Sequence, residues 1–373
     1  MRGSLSMNRK IIFLLCAFFF IQLPAYAQEA SPISILVAQL QEPGPLSSRD
    51  EISKLVDLSG KVEARILFVQ VYRANQAWFY SRFADSKPYR ACLDKLQEDP
   101  LHLLIKQAHS KGIKVYAWLN LLSLSDNKGA FILQKYGADV LTRNLKAKKS
   151  LDDYKIDDQF FLEPGDTRVR QELCSITQEL ISAYPGLDGI LFDYIRYPDK
   201  DPDYGYTKTN IERFKKATGA KDISKGLSIW NDWKRTQVEE LLALLVNKAR
   251  SMRPDIRIGS TGCVPFVRAY YEAYQNWPVW VNEGRVDFVL LMSYPKDSGE
   301  FNRNIQEAKE KVRDFKKVYI GLPAYKLVRA AKVFRDELQI ARSAGAGSYT
   351  IFHYNSLLEN SGLVNILEEK TGY

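Results

Sequence analysis

One carboxylate stands out by the company it keeps. Asp193 closes the run Leu187-Asp188-Gly189-Ile190-Leu191-Phe192 and is followed by Tyr194, Arg196, Tyr197 and Pro198. Gly189 to Phe192 is a short apolar stretch between turn formers, the pattern of a strand buried on both faces. A carboxylate at the end of such a strand, beside aromatic faces and a guanidinium, is equipped to work on a sugar. Glycoside hydrolysis normally uses two carboxyls, about 5–5.5 Å apart for retention and about 6.5–9.5 Å apart for inversion. Asp188 is excluded as the partner, because five extended residues carry it roughly 17 Å to the other end of the strand. Glu283 and Asp287 precede a strand and fall at that same far end. Glu163 and Asp297 each enter from a loop that follows a strand, which leaves them as the candidates. Asp193 then serves as general acid or electrostatic stabiliser, with Glu163 or Asp297 as the second catalytic carboxylate.

Sugar binding calls for flat apolar faces and hydrogen-bond donors at the same end of the strands. Tyr72, Arg73, Trp118, Asn120, Arg196, Tyr294 and His353 satisfy that requirement by position. His102 and His109 fall on a helix and read as structural. With three histidines and no HExxH, a His-ligated metal is not expected, and no cofactor is. The chitinase pattern DGxDxDxE is absent, since Leu191 and Ile195 occupy its middle aspartate and glutamate positions. There is no Gly-rich phosphate loop and no long Lys/Arg block, which argues against phosphorylated metabolites and nucleic acid.

These residues need a scaffold that brings strand ends together. Eight strands are expected: 33–40, 65–72, 114–120, 189–192, 256–259, 288–293, 318–322 and 348–353. Helices are expected at 50–62, from Asp99-Pro100 to Gly112, and at 167–183, 211–218, 229–252, 303–315, 331–343 and 356–369. Asp99 suits the N-cap and Pro100 the first helical position. Strand–helix alternation repeated eight times implies a (β/α)8 TIM barrel, one α/β domain over 28–373 with insertions after strands three and four. Active sites of such barrels lie at the C-terminal ends of the strands, where Asp193 falls.

Residues 1–27 read as a secretory signal peptide. Arg2, Arg9 and Lys10 precede an apolar run from Ile11 to Leu23, and Ala25-Tyr26-Ala27 is a small-residue cleavage pattern. The run is too short for a stable membrane anchor, so an exported, periplasmic or extracellular bacterial protein is expected. Cleavage removes those three bases and no acid, lowering the net charge from +9 to +6, a mild bias that suits anionic envelope polymers. Cys92, Cys174 and Cys263 remain, an odd number without a CxxC pair, which suggests buried thiols.

Five segments in order resemble one family: FVQVY…FYS, DPLHLLIKQAHSKGIKVYAWLN, LEPGDTRVR, DGILFDYIRYP and NEGRVDFVLLMSYP. They are similar to glycosyl-hydrolase-like family 10, secreted bacterial barrels, from about residue 33 to the C-terminus. The resemblance implies cleavage of a polysaccharide, in some members the glycan strands of peptidoglycan. One departure matters: family members commonly carry two adjacent acids here, whereas Asp193 is followed by Tyr194. The expectation is therefore a secreted glycoside hydrolase acting on an envelope or environmental polysaccharide, the alternative being a carbohydrate-binding barrel without catalysis.

Overall fold

The computed structural model describes residues 32–369 except 41–42, 200–202, 222, 224–227 and 296. The expected signal peptide lies outside the described residues. Eight parallel strands close on themselves: β1 (Ile33–Val37), β2 (Ala64–Arg73), β3 (Lys114–Asn120), β4 (Gly189–Asp193), β5 (Arg257–Cys263), β6 (Phe288–Met292), β7 (Val318–Leu322) and β8 (Ser348–Phe352). Each pairs with the next, and β1 pairs with both β2 and β8, so the sheet has no open edge among these strands. The fold is a TIM barrel with helices between the strands.

Alternation along each strand decides what fills the cylinder. Ile66 and Phe68 from β2, Tyr116 from β3, Leu191 from β4, Phe288 and Leu290 from β6 and Tyr319 from β7 form the interior cluster. The Phe288 and Tyr319 rings stack with centroids 4.5 Å apart. Gly259 of β5 makes room for this layer, since a Cβ there would overlap the Phe288 ring. Outward-facing residues such as Val69, Val115 and Ile190 join the larger cluster beneath the surrounding helices.

Most expected elements appear within a few residues. The Pro100–Ser110 helix is capped as anticipated, with Asp99 accepting from the Leu101 and His102 amides. Asp188 and Asp287 lie at the N-terminal end, where they accept from the backbone amides of Val115 and Ile258. The 303–315 helix instead starts at Ser298, one turn earlier, because Asp297 caps it by accepting from the Glu300 amide at 2.8 Å. The last helix divides at Asn360 into Tyr354–Glu359 and Ser361–Glu368. A helix at Lys87–Leu96 and two short ones, Phe266–Tyr271 and Trp277–Asn282, were not expected.

The insertion after β3 is structured. Ser123–Ser125 and Phe160–Phe161 pair antiparallel, and Leu162 donates to the Leu122 carbonyl at 2.8 Å. The Asn127 side chain ties the insertion to the loop after β2 through the Ala74 carbonyl. Cys92, Cys174 and Cys263 are free thiols. No described helix is long and apolar enough to cross a membrane.

Candidate active site

Leu191 and Asp193 share a face of β4, so the residue that fills the barrel dictates that the carboxylate points into its mouth. Three donors hold it. Trp118 Nε1 donates to Oδ2 at 2.9 Å, while the Thr261 hydroxyl at 2.6 Å and the Tyr194 amide at 2.7 Å donate to Oδ1. Both oxygens are thereby oriented, and the residue is 3% exposed. All three contacts come from donors, so both carboxyl oxygens are held as acceptors. Tyr194 takes a φ of +56°, which turns the chain sharply as it leaves the strand.

Above Asp193 lies a cleft of about 630 Å³. Trp118, Asn120, Arg73, Arg196 and Tyr294 line it. Trp118 and Asn120 follow Tyr116 on one face of β3, and Asn120 stands beside Asp193 in the ladder. Tyr294 stacks on Phe352 with centroids 5.1 Å apart. Burial first, then the charge of Asp193, holds its phenol well above the usual range, so it stays protonated. Arg196 bonds to Asp199 at 2.8 Å and lies over the Tyr194 ring at 4.5 Å. Burial works against the charge of Asp199, but Arg196 and Arg268 outweigh it and hold the carboxyl below its ordinary range.

Four expected site residues stand elsewhere. Tyr72 is fully buried in the outer core, its hydroxyl accepting from Asn75 at 3.2 Å. The register shift between Gln70 and Tyr72 turns that ring away from the mouth, and Gln70 takes the inward position. Glu163 is 0% exposed and outside the lining of the cleft. It accepts from the Tyr197 hydroxyl and the Gly165 amide, which makes it a brace between the loop before the Thr167–Ala183 helix and the loop after β4. Burial pushes its carboxyl pKa up, against those two donors. Asp297 is an exposed helix cap, also away from the cleft. His353 lies behind Phe352 and stacks on Tyr325, which itself lines the cleft; burial lowers its pKa.

The acids that do line the cleft with Asp193 are Asp126, Asp157, Asp158 and Asp199. The first three come from the insertion after β3, where Asp157 and Asp158 both adopt positive φ at an exposed rim. The Ile156-Asp157-Asp158-Gln159 stretch has the polar, turn-like composition of a loop, but nothing in its spacing ties it to the barrel mouth. Thr261 and Gln70 were legible in principle, since strict alternation along their strands points both inward. Among the described residues, no group of three or more His, Cys, Asp or Glu side chains is placed to hold a metal.

Fold and site together make this a closed eight-stranded barrel with a carboxylate on the floor of its C-terminal cleft. The chain belongs to the family described as Glycosyl hydrolase-like 10, whose model matches residues 36–337. It is 25% identical over 258 residues to glycosyl hydrolase DigH of Escherichia coli strain K12, covering 64% of this chain and 56% of that one. It is 21% identical over 268 residues to glycosyl hydrolase YngK of Bacillus subtilis strain 168, covering 66% and 49%. The chain thus spans about half the length of these curated relatives. Among solved structures, the catalytic domain of β-amylase from Paenibacillus polymyxa matches with a TM-score of 0.60 at 12% identity, over 92% of this chain and 99% of that one. The β-galactosidase of Marinomonas ef1 matches with a TM-score of 0.60 at 10% identity, over 87% and 54%. These likenesses establish the fold.

Proposed function

We propose that the protein is an exported glycoside hydrolase that cleaves a polysaccharide of the bacterial envelope or surroundings, with Asp193 at the reacting centre. The observation that carries this reading is the triply held carboxylate on the floor of an aromatic-walled cleft. Asp193 acts as the electrostatic stabiliser of the positive charge that develops on the sugar ring. Proton transfer to the leaving oxygen falls to an acid at the rim, Asp126, Asp157 or Asp158, in place of Glu163 and Asp297. Trp118 and Tyr294 supply faces for the sugar, and Asn120, Gln70 and Arg73 its hydrogen bonds.

The test is release of new reducing ends from chitooligosaccharides and from purified peptidoglycan glycan strands. Hydrolysis by the wild type that falls in Asp193→Asn and in one of Asp126→Asn, Asp157→Asn or Asp158→Asn supports the proposal. Tight binding of glycans without any cleavage would favour a carbohydrate-binding barrel instead.

A further inference from the structure

The cleft above Asp193 does not end at its own wall. Arg73, Ser125 and Asp126 line it on one side and on the other line a second chamber of about 720 Å³. The chamber is bounded by the Lys87–Leu96 helix, whose Lys87, Ala91 and Lys95 recur every four residues and so form one stripe facing it. The half-buried Trp78 also lines it, an aromatic face of the kind on which sugars stack.

Two features mark this chamber as built to receive something polar. Ser47 is 8% exposed, and its Oγ has no hydrogen-bond partner among the described residues; the Nε2 of Gln39 is likewise buried and unpartnered. Both residues line the chamber. Orphaned buried polar groups are costly, and ligand hydroxyls would offset that cost. The second feature is charge. Arg73 and Lys95 make no ion pair among the described residues, and Lys87 reaches Asp85 only at 4.0 Å with its own side chain 82% exposed. The acid among the described lining residues, Asp126, lies 3.8 Å from Lys155. The chamber therefore presents a net positive field beside an aromatic wall, in a concavity that focuses it.

We propose that this chamber is a distal subsite that binds an acidic unit of the glycan, a sugar bearing a carboxylate, while the neighbouring part of the same chain lies over Asp193. The inference deepens the glycosidase reading and rests on it: the substrate is an anionic polysaccharide, held by Lys87, Lys95 and Arg73 around the charge and by Ser47, Gln39 and Trp78 around the ring.

The test uses a matched pair of probes, neutral chitohexaose and carboxymethylated chitohexaose, titrated calorimetrically into Asp193→Asn protein at low and high salt, beside reducing-end release by the wild type. The carboxymethylated probe should bind about tenfold more tightly at low salt, and the advantage should shrink at high salt. The double variant K87Q/K95Q should lose roughly fivefold to tenfold of affinity for the acidic probe and none for the neutral one, as expected for two exposed ion pairs. Trp78→Ala should weaken both. Equal binding of the two probes, no binding of the acidic one, or an acidic preference untouched by K87Q/K95Q overturns the inference, and cleavage of neutral glycan in that case leaves the glycosidase reading intact. Lysine-dependent acidic binding without cleavage of any glycan would retain the chamber and overturn the hydrolase.

Discussion

Replacing Trp118 by Phe tests whether the grip on Asp193 matters. The indole Nε1 is the donor to Oδ2, at 2.9 Å, and its ring packs edge-on against Phe352 at 6.1 Å. Phenylalanine keeps an aromatic face in the cleft but removes the donor and some volume. A hydrogen bond to a charged group contributes about 1.5–3 kcal/mol, and Oδ1 keeps its bonds from Thr261 and Tyr194, so the carboxylate stays in place but swings more freely. If that energy is realised in the transition state, kcat/KM falls about tenfold to a hundredfold. The loss should fall on kcat, because the aromatic surface that binds sugar is largely kept. The missing volume should lower stability by about 1–2 kcal/mol. The assay is steady-state release of reducing ends, with urea unfolding of the same preparation as the control for folding. Thr261→Val should produce a comparable loss from the other oxygen. Wild-type kcat in both variants would refute the claim that these donors prepare Asp193 for chemistry.

Other perturbations follow from the same geometry. Glu337 is buried, and burial first, then Asp297, pushes its carboxyl from the usual 4.5 to about 7. Between those values the folded chain holds a proton that the unfolded chain has released, so this group's contribution to stability falls as pH rises through that window. Glu337→Gln should therefore gain stability relative to wild type as pH is raised from below 4.5 to above 7, measured by urea unfolding; a gap that does not change with pH would contradict this. Asp199→Asn should cost about 3 kcal/mol, because it strands the buried Arg196 guanidinium; Arg268→Gln, at a more exposed site, should cost about 1 kcal/mol. Gln97 ends the Lys87–Leu96 helix at a φ of +57°, and Gln97→Gly should stabilise the protein by about 0.5–1 kcal/mol in thermal unfolding.

The barrel was readable because strands buried on both faces leave apolar runs that loops do not imitate. Lys114–Asn120 and Val318–Leu322 match their expected bounds, and so do the 167–183 and 331–343 helices. Asp193 was readable for a related reason: an acid closing an apolar run has few other places to stand. The second carboxylate was not. Glu163 and Asp297 follow strands in the chain, but other partners claimed them: the Tyr197 hydroxyl, 34 residues away in the loop after β4, for the first and a helix N-terminus for the second. Tyr72 misled because a register shift in β2 breaks strict alternation just where the strand reaches the mouth. The acidic rim at Asp126, Asp157 and Asp158 reaches the cleft through the Ser123–Ser125 and Phe160–Phe161 pairing, a contact between segments with no periodicity to announce it.

We propose that the carboxylate closing β4 drives glycan cleavage. The most direct measurement is the rate of reducing-end release by Asp193→Asn, with unfolding curves confirming that the variant folds. Loss of the carboxylate charge should lower kcat at least a hundredfold while oligosaccharide affinity changes little. A folded Asp193→Asn that turns over its glycan at the wild-type rate would remove Asp193 from the reaction.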